Sequence, residues 1–199
     1  MRRIGLLGGT FDPIHQGHLW LAECARDALQ LQEVWFIPAP KPPHKDRDSL
    51  LSAEHRVAMV RLALAHNSHF RLCTVELQRP GFSYTVDTLA QLVRVGGGEQ
   101  FFLLLGADSA GTLASWYRSE CIPRYAQLVI LARPGVKMPE IPKHFGFVHY
   151  LTPAVGFWLS SSVLRRRLLQ GCSVQYLVPD RVLSYIYERG LYGCENKGK

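Results

Sequence analysis

Apolar residues recur along this chain in two alternating rhythms, and the alternation predicts the fold. Arg3 to Leu7 reads as a short buried strand. From His18 to Leu31, Leu19, Ala22, Ala25, Ala28 and Leu29 return at helical spacing. Glu33 to Pro38 is a second strand, with Val34, Phe36 and Ile37 apolar, and a Pro- and Lys-rich loop spans Pro38 to Asp48. Ser52 reads as the N-cap of a helix that carries Val57, Val60, Leu62 and Leu64 and runs to about His66. Phe70 to Val75 is a strand, Arg79-Pro80-Gly81 a turn, and Thr85 to Val95 a helix ended by Gly96-Gly97-Gly98. Phe101 to Leu105 and Leu128 to Ala132 read as fully buried strands, separated by a short helix over Ser109 to Trp116. Phe147 to Leu151 is the last strand; Ser161 to Leu169 and Pro179 to Glu188 are helices.

Strands that alternate with helices mean βαβ units, and wholly apolar strands suit a sheet covered on both faces. The expected architecture is α/β: one Rossmann-like, doubly wound domain over residues 1–194, with a mostly parallel sheet and C-terminal helices, followed by a frayed tail over 195–199. Folds of this kind bind ligands at the carboxyl ends of the strands, where strand order reverses. The polar residues of interest gather at those ends. His15 and His18 follow the first strand, Lys41 to Lys45 the second, Gly106-Ala107-Asp108 the Phe101 run, and Arg133 the Leu128 run.

Composition narrows the classes. A net charge of +7 points to an anionic partner, either nucleic acid or a polyphosphate nucleotide. The basic residues are dispersed apart from Arg165-Arg166-Arg167, and no aromatic–basic repeat occurs, so small-molecule phosphates explain the charge at least as well. No wholly apolar run exceeds five residues, as in Phe101 to Leu105, against the roughly 20 needed to span a bilayer. Arg2 and Arg3 precede too few apolar residues for an export signal, so the expected location is the cytoplasm, with no membrane partner. Cys24, Cys73, Cys121, Cys172 and Cys194 are odd in number and widely spaced, and read as reduced structural thiols.

The densest chemistry lies in Gly8-Gly9-Thr10-Phe11-Asp12-Pro13-Ile14-His15-Gln16-Gly17-His18. A glycine turn between strand and helix lets backbone approach a phosphate, and the helix start adds N–H groups and about half a positive charge. Both histidines can face an anion there. Alone, His-x-Gly-His also fits a capped helix with two surface histidines. A second string, Leu159-Ser160-Ser161-Ser162-Val163-Leu164-Arg165, opens a helix with serines and places Arg165 one turn on. Alone, that is also an N-cap followed by a solvated basic face. Successive helix positions point about 100° apart, so Arg166 and Arg167 are expected at solvent or at a subunit contact; a homo-oligomer stays open. Walker A, Gly-x-Gly-x-x-Gly and His-Glu-x-x-His are absent.

Both strings resemble the two signatures of the nucleotidylyltransferases. Further segments narrow the resemblance: Pro42-Pro43-His44-Lys45, Phe82 to Thr88, Gly106-Ala107-Asp108 with Trp116-Tyr117, Ala132 to Gly135, and a closing Val178-Pro179, Val182, Tyr185-Ile186, Gly190-Leu191-Tyr192. In that order, from Arg3 to Tyr192, they are similar to the bacterial nicotinate-nucleotide adenylyltransferases. Ser162 departs from the threonine usual there, and the triple serine resembles the shorter family that adenylylates phosphopantetheine.

The resemblance implies transfer of AMP from ATP to nicotinate mononucleotide by direct in-line attack, giving deamido-NAD and pyrophosphate. Mg2+ would ride on the ATP phosphates, and no protein metal ligand is assigned. By the same resemblance His15 and His18 contact the triphosphate, and Gly8, Gly9, Thr10 and Phe11 belong to the substrate-binding stretch. Ser161, Ser162 and Arg165 hold the departing phosphates, and Lys45 with His44 neutralises a substrate phosphate. Trp116 stacks on the pyridine ring, and backbone near Tyr84, Thr85 and Tyr117 receives its carboxylate. Gly106 belongs to the same substrate-binding set, Asp108 accepts from ribose hydroxyls, and Arg133 lies against adenine. The competing readings are another phosphate acceptor, adenylylated or cytidylylated, a non-catalytic nucleotide sensor, and a nucleic-acid binder.

Overall fold

In the computed structural model, which describes residues 1–40, 50–79, 81–156 and 159–194, six strands form one sheet. They are β1 (Arg3–Gly9), β2 (Glu33–Pro38), β3 (Phe70–Leu72), β4 (Gln100–Gly106), β5 (Ala126–Leu131) and β6 (Val148–Leu151). The order is β3-β2-β1-β4-β5-β6, and every neighbouring pair is parallel. Strand order therefore reverses between β1 and β4, where Leu6 lies opposite Leu103. The helices are α1 (Gln16–Ala28), α2 (Ala53–Leu64), α3 (Thr85–Val95), α4 (Ala107–Ala110), α5 (Ser161–Leu169) and α6 (Asp180–Glu188).

Side chains along a strand alternate between faces, so a continuous apolar run feeds two cores at once. In β4, Phe102 and Leu104 join Ala22 and Ala25 of α1, Met59 and Val60 of α2, Leu164 of α5 and Ile186 of α6. Phe101, Leu103 and Leu105 point the other way and pack with Val86, Leu89 and Leu92 of α3. Each such side chain removed from water stabilises the fold by roughly 1.5–3 kcal/mol before ordering costs. The sheet is thereby locked between two helical layers, and its carboxyl edge stays open.

Several boundaries differ from the periodicity reading. β1 runs on through Gly8 and Gly9, which pair with Ile37 and Pro38, so these glycines end a strand and do not make the turn. The chain reverses just beyond them, where Phe11 adopts φ +51°. Gly9 is small for a packing reason: a Cβ there would lie 2.9 Å from the Phe11 ring. α1 begins two residues before His18, because His15 caps it, and ends at Ala28, where Leu29 is the C-cap and Gln30 turns left-handed at φ +50°. β3 stops at Leu72 and a 3-10 turn follows at Val75–Gln78. The single helix expected over Ser109 to Trp116 is instead α4 and a separate turn at Leu113–Ser115. Val148 starts β6 one residue late, while β2, α3 and α5 match their expected bounds. The expected tail at 195–199 and the loop residues 41–49 lie outside the described residues.

Candidate active site

A cavity of about 810 Å³ opens at the carboxyl edge of the sheet, over the β1/β4 reversal. It gathers side chains from far-apart segments. Gly8, Gly9 and Thr10 from the end of β1 lie on its wall with His15 and His18 of the α1 entrance. Ser160, Ser161 and Ser162 of the α5 entrance line it too. Tyr84 and Thr85 from the start of α3, Gly106 and Asp108 after β4, Trp116, Tyr117, and Arg133 after β5 complete it. The beginnings of α1, α3, α4 and α5 therefore meet one space. Helix starts carry partial positive charge, so the cavity suits a ligand with several anionic groups.

The two histidines cap α1 reciprocally. His15 Nδ1 accepts from the His18 amide at 3.3 Å, and His18 Nδ1 accepts from the His15 amide at 3.3 Å. Their rings stack at 3.7 Å and 21°. With Nδ1 accepting, a neutral ring carries its proton on Nε2, where it is a donor. Of the two residues between the histidines, Gly17 packs closely: a Cβ there would sit 3.1 Å from His15 Nδ1, tighter than an ordinary contact. His15 is 4% exposed. Burial first, and then the nearby Arg133 charge, hold its pKa down to about 3. It is thus a neutral hydrogen-bond donor at physiological pH, not a cation.

That shift predicts a pH dependence of stability. Below pH 6.5 the unfolded chain protonates His15 and the folded chain does not until about 3. The unfolded state then binds more protons, and stability falls as pH drops through this window, by roughly 1.4 kcal/mol per pH unit. Asparagine keeps an N-cap acceptor but does not titrate. Urea midpoints from pH 7 to pH 4 should therefore fall less steeply for His15→Asn than for the parent chain. Parallel slopes would remove His15 as the source.

At α5, Ser160 Oγ accepts from the Val163 amide at 3.3 Å. Ser161 Oγ donates to the Pro13 carbonyl at 3.0 Å, stitching this helix start to the turn before α1. Two side chains expected at the ligand, Arg165 and Phe11, are not among those that line the cavity. Arg165 does not line the cavity; its guanidinium donates to the Asp12 carbonyl at 2.7 Å and lies 3.8 Å from Asp12 Oδ2. The reason is its place one turn into α5, which aims it at the turn itself. Phe11 is 1% exposed and packs on Phe36 and the edge of the His18 ring, beneath the histidine pair. His44 and Lys45 lie outside the described residues.

Beside the α5 entrance, Arg133 donates to Asp108 Oδ2 at 2.8 Å and to the Leu159 carbonyl at 2.6 Å. Tyr84 is the N-cap of α3 without a side-chain cap bond. Its ring lies 4.5 Å from that of Tyr117. Trp116 Nε1 donates to Thr112 Oγ1 at 3.2 Å, which sets the plane of the indole.

Several residues at or behind this cavity carried no expectation. Glu76, 8% exposed, lines it and accepts from Thr88 Oγ1 at 2.7 Å. Burial raises its pKa, against the pull of Thr88, Arg79 and Ser83. Arg56, 1% exposed, sits behind the β1 turn, and Asp12 is equally buried within it. A lone acid or base on an expected helix or loop reads as solvated, so no sequence signal marked Glu76 or Arg56, and Asp12 stood in the first string without a role of its own. Among the described residues, no group of three or more His, Cys, Asp or Glu could hold a metal ion. No helix of these residues is long and apolar enough to cross a membrane.

The chain belongs to the cytidylyltransferase-like family, whose family model matches residues 6–167. Within it the chain belongs with the nicotinate-nucleotide adenylyltransferases. It is 42% identical over 197 residues to the "Probable nicotinate-nucleotide adenylyltransferase" of Shouchella clausii, covering 99% of this chain and 100% of that one. It is 45% identical over 190 residues to a protein of the same name from Thermus thermophilus, covering 96% and 99%. Its fold matches that of Plasmodium falciparum nicotinic acid mononucleotide adenylyltransferase complexed with NaAD, at a TM-score of 0.83 and 21% identity over 98% and 99% of the two chains.

Proposed function

We infer that the chain transfers AMP from ATP to nicotinate mononucleotide, forming deamido-NAD and pyrophosphate in NAD biosynthesis. One observation carries the reading: the histidine-capped start of α1 and the serine-capped start of α5 meet in one cavity that Tyr84, Thr85 and Trp116 also line. One end suits a triphosphate, the other an aromatic ring bearing an anion.

In the transfer, an oxygen of the acceptor's 5′-phosphate attacks the α-phosphorus of ATP. The bond from that phosphorus to the β-phosphate's bridging oxygen breaks, and pyrophosphate leaves with the electron pair. The protein aligns both reactants in one cleft and offsets charge as it moves towards the leaving group. His18 serves the α-phosphate and His15 the triphosphate beside it, both as Nε2–H donors. Helix amides at Ser161 and Ser162 have no intrahelical partner, and they receive the departing phosphates. Arg165 acts on this end through the Asp12 carbonyl that it holds. Magnesium enters as part of the substrate, MgATP; of the cavity's carboxylates, Asp108 is paired with Arg133 and Glu76 accepts from Thr88.

The start of α3 at Thr85 should prefer a carboxylate to an amide on the pyridine ring, because helix amides donate to anions. Protein, ATP, magnesium and nicotinate mononucleotide should give a product of deamido-NAD mass and pyrophosphate. Nicotinamide mononucleotide should turn over more slowly. Equal rates would contradict the assignment of the α3 end. Turnover only with CTP or with phosphopantetheine would move the chain to another acceptor class, and no pyrophosphate from any pair would leave a nucleotide sensor.

A further inference from the structure

Tyr192 ends the closing segment of the sequence, and the mechanism above gives it no part. It adopts φ +58° inside the short turn Leu191–Gly193, a left-handed conformation that a tyrosine holds only when its surroundings impose it. Its hydroxyl donates to Asp12 Oδ1 at 2.6 Å, across 180 positions of sequence. Asp12 is 1% exposed. Its other oxygen, Oδ2, accepts from the Leu51 amide at 3.4 Å and lies 3.8 Å from Arg165.

The turn between β1 and α1 is also gripped at three main-chain carbonyls. Arg56 holds that of Thr10, Arg165 that of Asp12, and Ser161 that of Pro13. Three residues after Asp12 the chain reaches His15. We propose that Tyr192 is a positioning residue of the adenylyl transfer: through the Asp12 carboxylate it sets the turn that delivers His15 and His18 to the phosphates.

Tyr192 is not among the residues that line the cavity, and its hydroxyl reaches the turn through Asp12. Burial and the Asp12 charge push its phenol pKa well above the ordinary tyrosine range, which keeps the hydroxyl a donor. Without that hydroxyl, Oδ1 of a nearly buried carboxylate has to find another partner, by rotating or by moving the turn. Small displacements of reacting groups are costly; about 1 Å can lower a rate by roughly 100-fold.

The inference rests on the transfer reading of the site, so its test has a readout besides activity. Tyr192→Phe keeps the ring and removes the hydroxyl. In the full chain it should lower kcat by about 10- to 100-fold, with the acceptor's KM unchanged, because the α3 end is untouched. The imidazole 1H–15N signals of His15 and His18 should shift from their parental positions without any ligand. Tyr176→Phe, at an 81% exposed position, is the control and should change neither. If Tyr192→Phe does not fold, Asp12→Asn carries the test, since its amide meets the Leu51 N–H and Arg165 donors, and the same two changes are expected. Parental imidazole signals, or kcat within twofold of the parent, in whichever variant folds, overturn the proposal. A parent chain that releases no pyrophosphate fails the transfer reading instead, and the imidazole signals still decide whether Tyr192 sets the histidines.

Discussion

Alanine at His18 is expected to lower kcat by about 100- to 1000-fold, the usual cost of losing one donor aimed at developing charge. His18 lines the cavity, and its ring is fixed three ways. Its Nδ1 accepts from the His15 amide, its face stacks on His15, and the Phe11 ring meets it edge-on at 5.1 Å. A donor held that firmly needs no reorganisation as charge builds on the phosphates, which is why its loss should appear mainly in kcat. The fold should survive. The variant loses one hydrogen bond of the capping box, worth about 0.5–1.5 kcal/mol, while His15 still accepts from the residue-18 amide. Pyrophosphate release measures the rate, and far-UV circular dichroism with a thermal midpoint measures the fold. A folded variant with near-parental turnover would take His18 out of the mechanism.

Arg56→Ala should produce the largest stability loss, about 3–5 kcal/mol, the range for breaking a buried charged network. The guanidinium meets four main-chain carbonyls: Leu51 at 3.1 Å, Thr10 at 2.8 Å, Ala39 at 2.8 Å and Pro40 at 3.1 Å. They belong to three separate segments: the turn after β1, the exit from β2 and the approach to α2. Truncation leaves those acceptors without their donor and removes a positive charge near Asp12. Lysine should recover only part of the loss, because one ammonium cannot reproduce the planar fork. Urea unfolding should show a lower midpoint at an unchanged slope. A loss under about 1 kcal/mol, the median worth of an exposed pair, would mean that water replaces the guanidinium without cost.

Arg56 and Tyr192 also show where the sequence stops being legible. Arg56 reads as an ordinary charged helix residue, and Tyr192 belongs to the closing pattern without any role attached to it. Their partners lie 46 positions away at Thr10 and 180 away at Asp12. Spacing places Arg165 on the first turns of α5, where the resemblance makes it a phosphate ligand. It does not say that the Asp12 carbonyl comes within 2.7 Å first. The Gly8-Gly9 pair looked like a turn because two adjacent glycines usually break a strand. The ladder to β2 carries the backbone through them.

Local chemistry was enough for the rest. The alternation of strands with helices and the wholly apolar runs of β4 and β5 predict a parallel sheet covered on both faces, and that sheet exists. The same patterns place the histidines and serines at helix starts, because capping depends on a few consecutive residues. By itself, then, the sequence determined which elements form and which chemical groups stand at their ends. Only the tertiary structure decided which of those groups share a cavity, which are neutral, and which hold the turn from behind. Those properties depend on burial and on long-range partners, and neither is set until the two helical layers close on the sheet.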